Sequence, residues 1–346
     1  MKKVKAAAFA VLAMVAAGSV GMGASPAQAG ATFDAVKARG ILQCGVNTAL
    51  GGFSAPDSKG EWQGIDVDVC RAIAAAMFGD ASKIRFSPLT SQARLTALQS
   101  GEIDVLSRNT TLTLQRDAAI GLNPTGVTFY DGQGFLVPKK LNVKSAKELA
   151  GATVCVQSGS TTELNLADYF RAQQMQFKPV VFEKLEELVA AFFAGRCDVY
   201  TSDASQLASA RALQAQNPDD YVILPEIISK EPLGPFVRHG DDQWHDVVRW
   251  ALFAMIEAEE YGITSKNVDE MLKSNDPNVK RILGVTPGMG KALGLDEKWA
   301  YNIIKLVGNY GESFERNVGS GSKLNLPRGY NALWTKGGLM YAWPIR

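Results

Sequence analysis

One short pattern occurs twice in this chain and restricts the folds open to it. Residues 92–100 have helical spacing, stop at Gly101 and re-enter as Ile103-Asp104-Val105-Leu106. Residues 185–194 do the same, stop at Gly195 and re-enter as Asp198-Val199-Tyr200-Thr201. The junctions Gly101-Glu102-Ile103-Asp104-Val105 and Gly195-Arg196-Cys197-Asp198-Val199 keep glycine, aspartate and valine at the same spacing. A glycine just past a helix supplies the left-handed residue that ends it, and a short apolar run after it reads as a strand. Helix–strand units of this kind build a sheet covered by helices. Two such units, so far apart, predict two α/β lobes made on one plan.

The flanking elements fit that plan. A strand is expected over residues 41–46. A helix follows, with Val69, Ile73, Ala76 and Met77 at helical spacing behind Asp66 and Asp68, acids that favour the positive end of a helix. The same order restarts with a strand at 153–157, a Ser/Gly/Thr turn and a helix near 162–174. Gly132-Gln133-Gly134-Phe135-Leu136-Val137 and residues 229–238 are the expected crossings between lobes, and two crossings make a hinge. The division is therefore residues 30–132 for the first part of lobe 1, 133–230 for lobe 2, and 231–346 for the return to lobe 1 plus a C-terminal helical extension. Trp250, Phe253 and Met255 in that extension read as core side chains.

The first 29 residues are set apart from the fold. Lys2, Lys3 and Lys5 precede an apolar stretch from residue 6 to 17, and Ala27-Gln28-Ala29 offers small residues for cleavage, so a signal peptide cut after Ala29 is expected. The apolar core is shorter than the ~20 residues a membrane span needs. The chain is 46% hydrophobic and 21% charged with a net charge of +1, an ordinary globular mixture with no basic block for nucleic acid or an anionic membrane. Export brings an oxidising compartment, where the four cysteines favour disulfides over a metal site. Of the three possible pairings, locality selects Cys44 with Cys70 and Cys155 with Cys197, one bridge per lobe.

Polar groups concentrate at predicted strand ends, where open α/β sheets bind ligands. The run Ser107-Arg108-Asn109-Thr110-Thr111-Leu112-Thr113-Leu114-Gln115-Arg116 is crowded with donors, and a guanidinium can grip a carboxylate through two parallel bonds. It equally allows Thr111 and Thr113 as helix caps with Arg116 in solvent. Ser158-Gly159-Ser160-Thr161-Thr162-Glu163 opens a helix whose first N–H groups attract anions, or Ser160 or Thr161 is simply its cap. Tyr200-Thr201-Ser202-Asp203 sets an acid at another strand end, suited either to an ammonium group or to capping the helix after it.

Taken with Gly64-Ile65-Asp66-Val67-Asp68-Val69, Leu98-Gln99-Ser100-Gly101-Glu102-Ile103-Asp104-Val105 and Thr113-Leu114-Gln115-Arg116, these segments resemble the polar amino acid-binding proteins of ABC importers, solute-binding protein family 3. The chain is most similar to the general L-amino-acid-binding branch, for which Ser107-Arg108-Asn109-Thr110-Thr111 and the long C-terminal extension look characteristic. The resemblance implies a type II periplasmic binding protein fold, two α/β lobes joined by a two-strand hinge with an extended C-terminal helical segment. It implies that Arg116 holds a ligand α-carboxylate, helped by Thr111, Ser160 and the backbone N–H of Thr161. Asp203, the Thr111 hydroxyl and the Asn109 carbonyl would take the α-ammonium. In the side-chain pocket Asn47 and Leu50 stand where members that take cationic ligands have an acid and an aromatic plate, with Phe53 close by. Arg94 and Arg108 fall near the same pocket and suit acidic or amide side chains.

The function implied is periplasmic capture of free L-amino acids of broad range, acidic and polar ones favoured, by hinge closure, the motion for which periplasmic binding proteins are the standing example. Delivery would be to the permease subunits of an ABC importer. The protein is expected to be a monomer that needs no cofactor or metal and is not an enzyme. Two rivals share the scaffold: a periplasmic enzyme resembling cyclohexadienyl dehydratases, with His239, His245 and Glu163 as its acid–base candidates, and a ligand-presenting subunit for a chemoreceptor.

Overall fold

A computed structural model describes residues 31–346; the expected leader and its cleavage site lie outside the described residues. Two five-stranded sheets form the framework. The first runs in the order Ile84–Pro88, Leu42–Val46, Val105–Leu106, Phe236–Arg238, Leu122–Pro124. The second runs Lys178–Phe182, Thr153–Gln157, Val199–Asp203, Gln133–Pro138, Tyr221–Ile223. In both, the first three strands are parallel and the fourth is antiparallel to its neighbours. That fourth strand is in each case the one that has just arrived from the other lobe, so each lobe's sheet is completed by a piece of returning chain.

The duplicated pattern forms the elements it predicts. Ala93–Ser100 ends at Gly101 with φ 81°, and Leu185–Phe193 runs into Gly195 with φ 78°. Both are left-handed positions that suit glycine. Ile65–Phe78 buries an almost continuous apolar surface between the first sheet and the helices Asp242–Glu260 and Trp299–Leu306. Disulfide Cys44–Cys70 ties a strand to the helix Ile65–Phe78, and Cys155–Cys197 ties a strand to the turn that leads into Val199–Asp203.

The outward crossing is placed earlier than in the sequence reading, whereas the return segment 229–238 does contain the second ribbon strand. Residues 132–137 fall almost entirely in Gln133–Pro138, a buried strand of the second sheet. The inter-lobe ribbon is instead Phe129–Asp131 paired antiparallel with Glu231–Leu233, Asp131 opposite Glu231. Both segments are apolar and extended, and periodicity does not distinguish a linker strand from a sheet strand.

Residues beyond Arg238 pack back on lobe 1. Asp241 caps Asp242–Glu260 through the Trp244 N–H at 2.8 Å, and the Trp244 indole donates to the Asp104 carbonyl at 2.9 Å. Phe253 and Met255 are buried and Trp250 is partly covered, as core side chains should be. In Tyr310–Asn317, the Ser313 hydroxyl, Arg316 guanidinium and Asn317 amide converge on one oxygen of buried Asp68 at 2.7, 2.6 and 2.7 Å. Two side chains then reach the ribbon and the residue before it. The Tyr310 hydroxyl donates to the Thr128 carbonyl at 2.8 Å, and the Asn331 amide accepts from the Tyr130 N–H at 2.6 Å while donating to its carbonyl at 3.1 Å. Among the described residues no helix is long and apolar enough to cross a membrane.

Candidate functional site

The lobes meet. The Ser209 hydroxyl donates to the Gly51 carbonyl at 3.0 Å, and the Thr90 hydroxyl to Glu183 at 3.3 Å. Between them lies a slot of about 20 Å³ at the ends of the central strands. Lobe 1 supplies Ser91, Arg94, Asn109 and Thr111; lobe 2 supplies Gln157, Ser160, Thr161, Thr162, Ser202, Asp203 and Gln206. Every lining side chain is polar, so the slot is built for a polar ligand.

Its charges come from opposite walls. Asp203 closes the strand Val199–Asp203 and is buried, and its Oδ1 has no hydrogen-bond partner. It precedes the helix Ala204–Leu213 yet does not cap it. Asp131 takes that role, accepting from the Ser205 N–H at 3.3 Å and from the Ser205 hydroxyl. Burial, then the nearby Asp131 and Glu231, hold the Asp203 carboxyl well above the ordinary range, against the pull of Arg94 and Arg116. Across the slot Arg94, from Ala93–Ser100, is equally buried and its Nε is unpartnered. Burial and the repulsion of Arg116 and Arg108 lower its affinity for the proton. A buried charge with no partner is costly, and a ligand of opposite charge relieves the cost at each wall.

The other nominated residues fall around this slot. Arg116 is 6% exposed and donates to the Thr111 carbonyl at 2.7 Å. It faces an adjoining cleft of about 460 Å³ that shares Ser160 and Thr161 as a wall. Asn47 stands behind Asn109, its amide donating to the Asn109 Oδ1 at 2.9 Å. Asp66 accepts the Asn109 N–H at 2.8 Å, and burial, offset in part by that bond and by Arg108, raises its carboxyl to about 7. Together they hold Asn109 at φ 29°, a left-handed conformation of the kind that clusters at ligand sites. Arg108 does not line the slot; its Nε donates to the Leu89 carbonyl at 2.9 Å, and its buried Nη2 has no partner. Phe53 lies in the core, edge-on to Phe129 with ring centroids 5.2 Å apart. The Ser160 hydroxyl donates to the Gln157 carbonyl and accepts the Glu163 N–H, so it caps Thr161–Ala172. The first N–H groups of that helix, with their positive potential, belong to residues that line the slot.

Sequence reasoning passed over Ser91, Gln157, Thr162, Ser202 and Gln206 as slot residues, and above all Glu231. The hydroxyls of Thr111 and Thr161 both donate to one Glu231 oxygen, at 2.6 and 2.8 Å. The only signal in the chain is a lone acid in residues 229–238, on a segment read as a crossing. Of the acid–base candidates the two histidines stand elsewhere, and Glu163 lines the adjoining cleft with Arg116. His239 faces Asp117, His245 sits against the Pro124 carbonyl and Arg249, and Glu163 accepts the Gly159 N–H at 3.0 Å.

Residues 42–267 match the bacterial extracellular solute-binding proteins, family 3. The general L-amino acid-binding periplasmic protein of Rhizobium johnstonii is 60% identical over 96% of this chain and 98% of its own. A glutamate/glutamine/aspartate/asparagine-binding protein of Rhodobacter capsulatus is 54% identical over 95% and 98%. In structure, an ABC transporter periplasmic binding protein from Brucella ovis with glutathione bound superposes with a TM-score of 0.89 at 59% identity, covering 91% of this chain and 99% of that one. With its paired sheets, two-strand ribbon and polar slot at the strand ends, the chain has the type II periplasmic binding fold and belongs to family 3 of the bacterial extracellular solute-binding proteins.

Proposed function

We propose that this protein captures free L-amino acids in the periplasm, acidic and amide ones best, and delivers them to an ABC importer. The observation that carries this reading is the opposed pair in the closed slot: Asp203 from one lobe and Arg94 from the other, both buried and both with unpartnered polar atoms. Asp203 and the Asn109 carbonyl receive the α-ammonium. Arg116 and the N-terminus of Thr161–Ala172 attract the α-carboxylate. Arg94 takes a side-chain carboxylate or amide. Arg108 does not line the slot, so the polar preference rests first on Arg94. The ligand meets one lobe first and the other closes on it, a shift between open and closed populations. The names of the relatives support this breadth, and glutathione, bound to the Brucella protein, also presents a free α-amino acid head. The histidines lie away from the slot, which disfavours acid–base catalysis there.

Calorimetry against a panel of glutamate, glutamine, aspartate, asparagine, alanine, leucine, arginine and glutathione tests it. Loss of a buried charge partner costs about 2–5 kcal/mol, so Asp203→Asn should weaken all amino acids roughly a hundredfold or more. Arg94→Ala should weaken glutamate and aspartate by a similar factor and spare alanine. Binding of arginine alone, or turnover of prephenate or arogenate by the purified protein, contradicts the proposal.

A further inference from the structure

Glu231 has no part in the binding scheme above, yet it is the most densely bonded carboxylate at the lobe boundary. It lies on the ribbon strand Glu231–Leu233 and is 1% exposed. Oε2 receives the hydroxyl of Thr111 from lobe 1 at 2.6 Å and that of Thr161 from lobe 2 at 2.8 Å. Oε1 receives the amide of Asn165 from lobe 2 at 2.7 Å and the hydroxyl of Ser229 at 2.7 Å. One side chain thus gathers donors from both lobes and from the hinge.

Two consequences follow from the chemistry of a carboxylate, which can only accept. The bonds to Thr111 and Thr161 exist together only when the lobes are closed, so they favour closure without ligand. Each hydroxyl has a single proton, and here both protons are committed to Glu231. The two oxygens, 3.2 Å apart, therefore offer only lone pairs to the slot they line. An acceptor pair suits an ammonium and repels a carboxylate. The Thr111 hydroxyl, which the sequence reading assigned to both ends of the ligand, is left with the ammonium end only.

We infer that Glu231 is a specificity-determining closure residue: it fixes the hydroxyls of Thr111 and Thr161 as acceptors and links the two lobes through them. The specificity half rests on the amino-acid reading; the closure half does not.

The experiment uses the full exported chain, freed of ligand by dialysis, with Glu231→Gln, Glu231→Ala and, on the donor side, Asn165→Ala. Small-angle X-ray scattering without ligand reads closure. Wild type should keep a radius of gyration near its liganded value, and all three variants should expand. Calorimetry with L-glutamate and with glutarate, which lacks the ammonium, reads polarity. Apparent affinity scales with the closed fraction, so the Glu231 variants should lose on the order of tenfold for L-glutamate. They should also lose part of the preference for L-glutamate over glutarate. Unliganded wild type as expanded as the variants overturns the closure half. An unchanged glutamate-to-glutarate ratio in Glu231→Gln overturns the specificity half. If wild type binds no amino acid, the functional proposal fails while the scattering still decides the closure half.

Discussion

Asp203 is the residue through which pH should reach binding. Its carboxyl is raised by burial and by Asp131 and Glu231, so the free protein keeps that proton to higher pH than an exposed aspartate does. An ammonium at the site favours the ionised form. The complex therefore loses the proton earlier than the free protein, binding releases it, and affinity rises with pH through the range in which free Asp203 titrates, levelling off above it. Calorimetry in buffers of different ionisation enthalpy should give different apparent heats for wild type and equal heats for Asp203→Asn. Equal heats for wild type would mean that Asp203 is already ionised before the ligand arrives. At this scale the sequence was informative where a residue's place is local. Asp203 ends a strand, and strand ends face the cleft. Arg108 shows the limit, because composition reports a guanidinium but not its direction. Asn109 lines the slot, whereas its neighbour Arg108 does not and gives its Nε to the Leu89 carbonyl. Glu231 was illegible for another reason, since its partners at 111, 161 and 165 meet only after both lobes form.

At the level of elements, each lobe carries one covalent staple across comparable structure, which makes them a matched pair for measurement. Cys44–Cys70 spans 26 residues and Cys155–Cys197 spans 42. On the chain-entropy account, removing either bridge costs about 2–4 kcal/mol, and the longer loop costs more by only about 0.4 kcal/mol. Urea unfolding of Cys44→Ser with Cys70→Ser, and of Cys155→Ser with Cys197→Ser, should show losses that nearly match. A much larger loss in one lobe would mean that its bridge acts on the native packing instead. Helices and strands of the duplicated pattern were readable because capping glycines and apolar spacing are written in consecutive residues. The outward crossing was not readable, because Gln133–Pro138 is as extended and apolar as any linker strand and its identity depends on pairing with Val199–Asp203.

For the molecule as a whole, the C-terminal segment decides where bending can occur. Asn331 covers both backbone groups of Tyr130, and Tyr310 holds the Thr128 carbonyl, so this side of the ribbon is fastened to lobe 1. Asn331→Ala should speed hydrogen exchange at the Tyr130 amide while leaving Val156, buried in an inner strand of the other sheet, at its wild-type rate; equal protection of Tyr130 in both proteins would remove Asn331 from this role. Just beyond the fastened stretch comes Gly132, where a β-carbon would sit 2.3 Å from the Ile227 side chain and 2.8 Å from the Ser229 carbonyl. On this strand the chain therefore passes from a part fastened to lobe 1, which ends at Tyr130, to a part tied to lobe 2, which begins with Asp131 and its bonds to Ser205. A fluorophore fused at Arg346 would keep its distance to a second dye on lobe 1 throughout capture, whereas its distance to a dye on the second lobe would change with every closure.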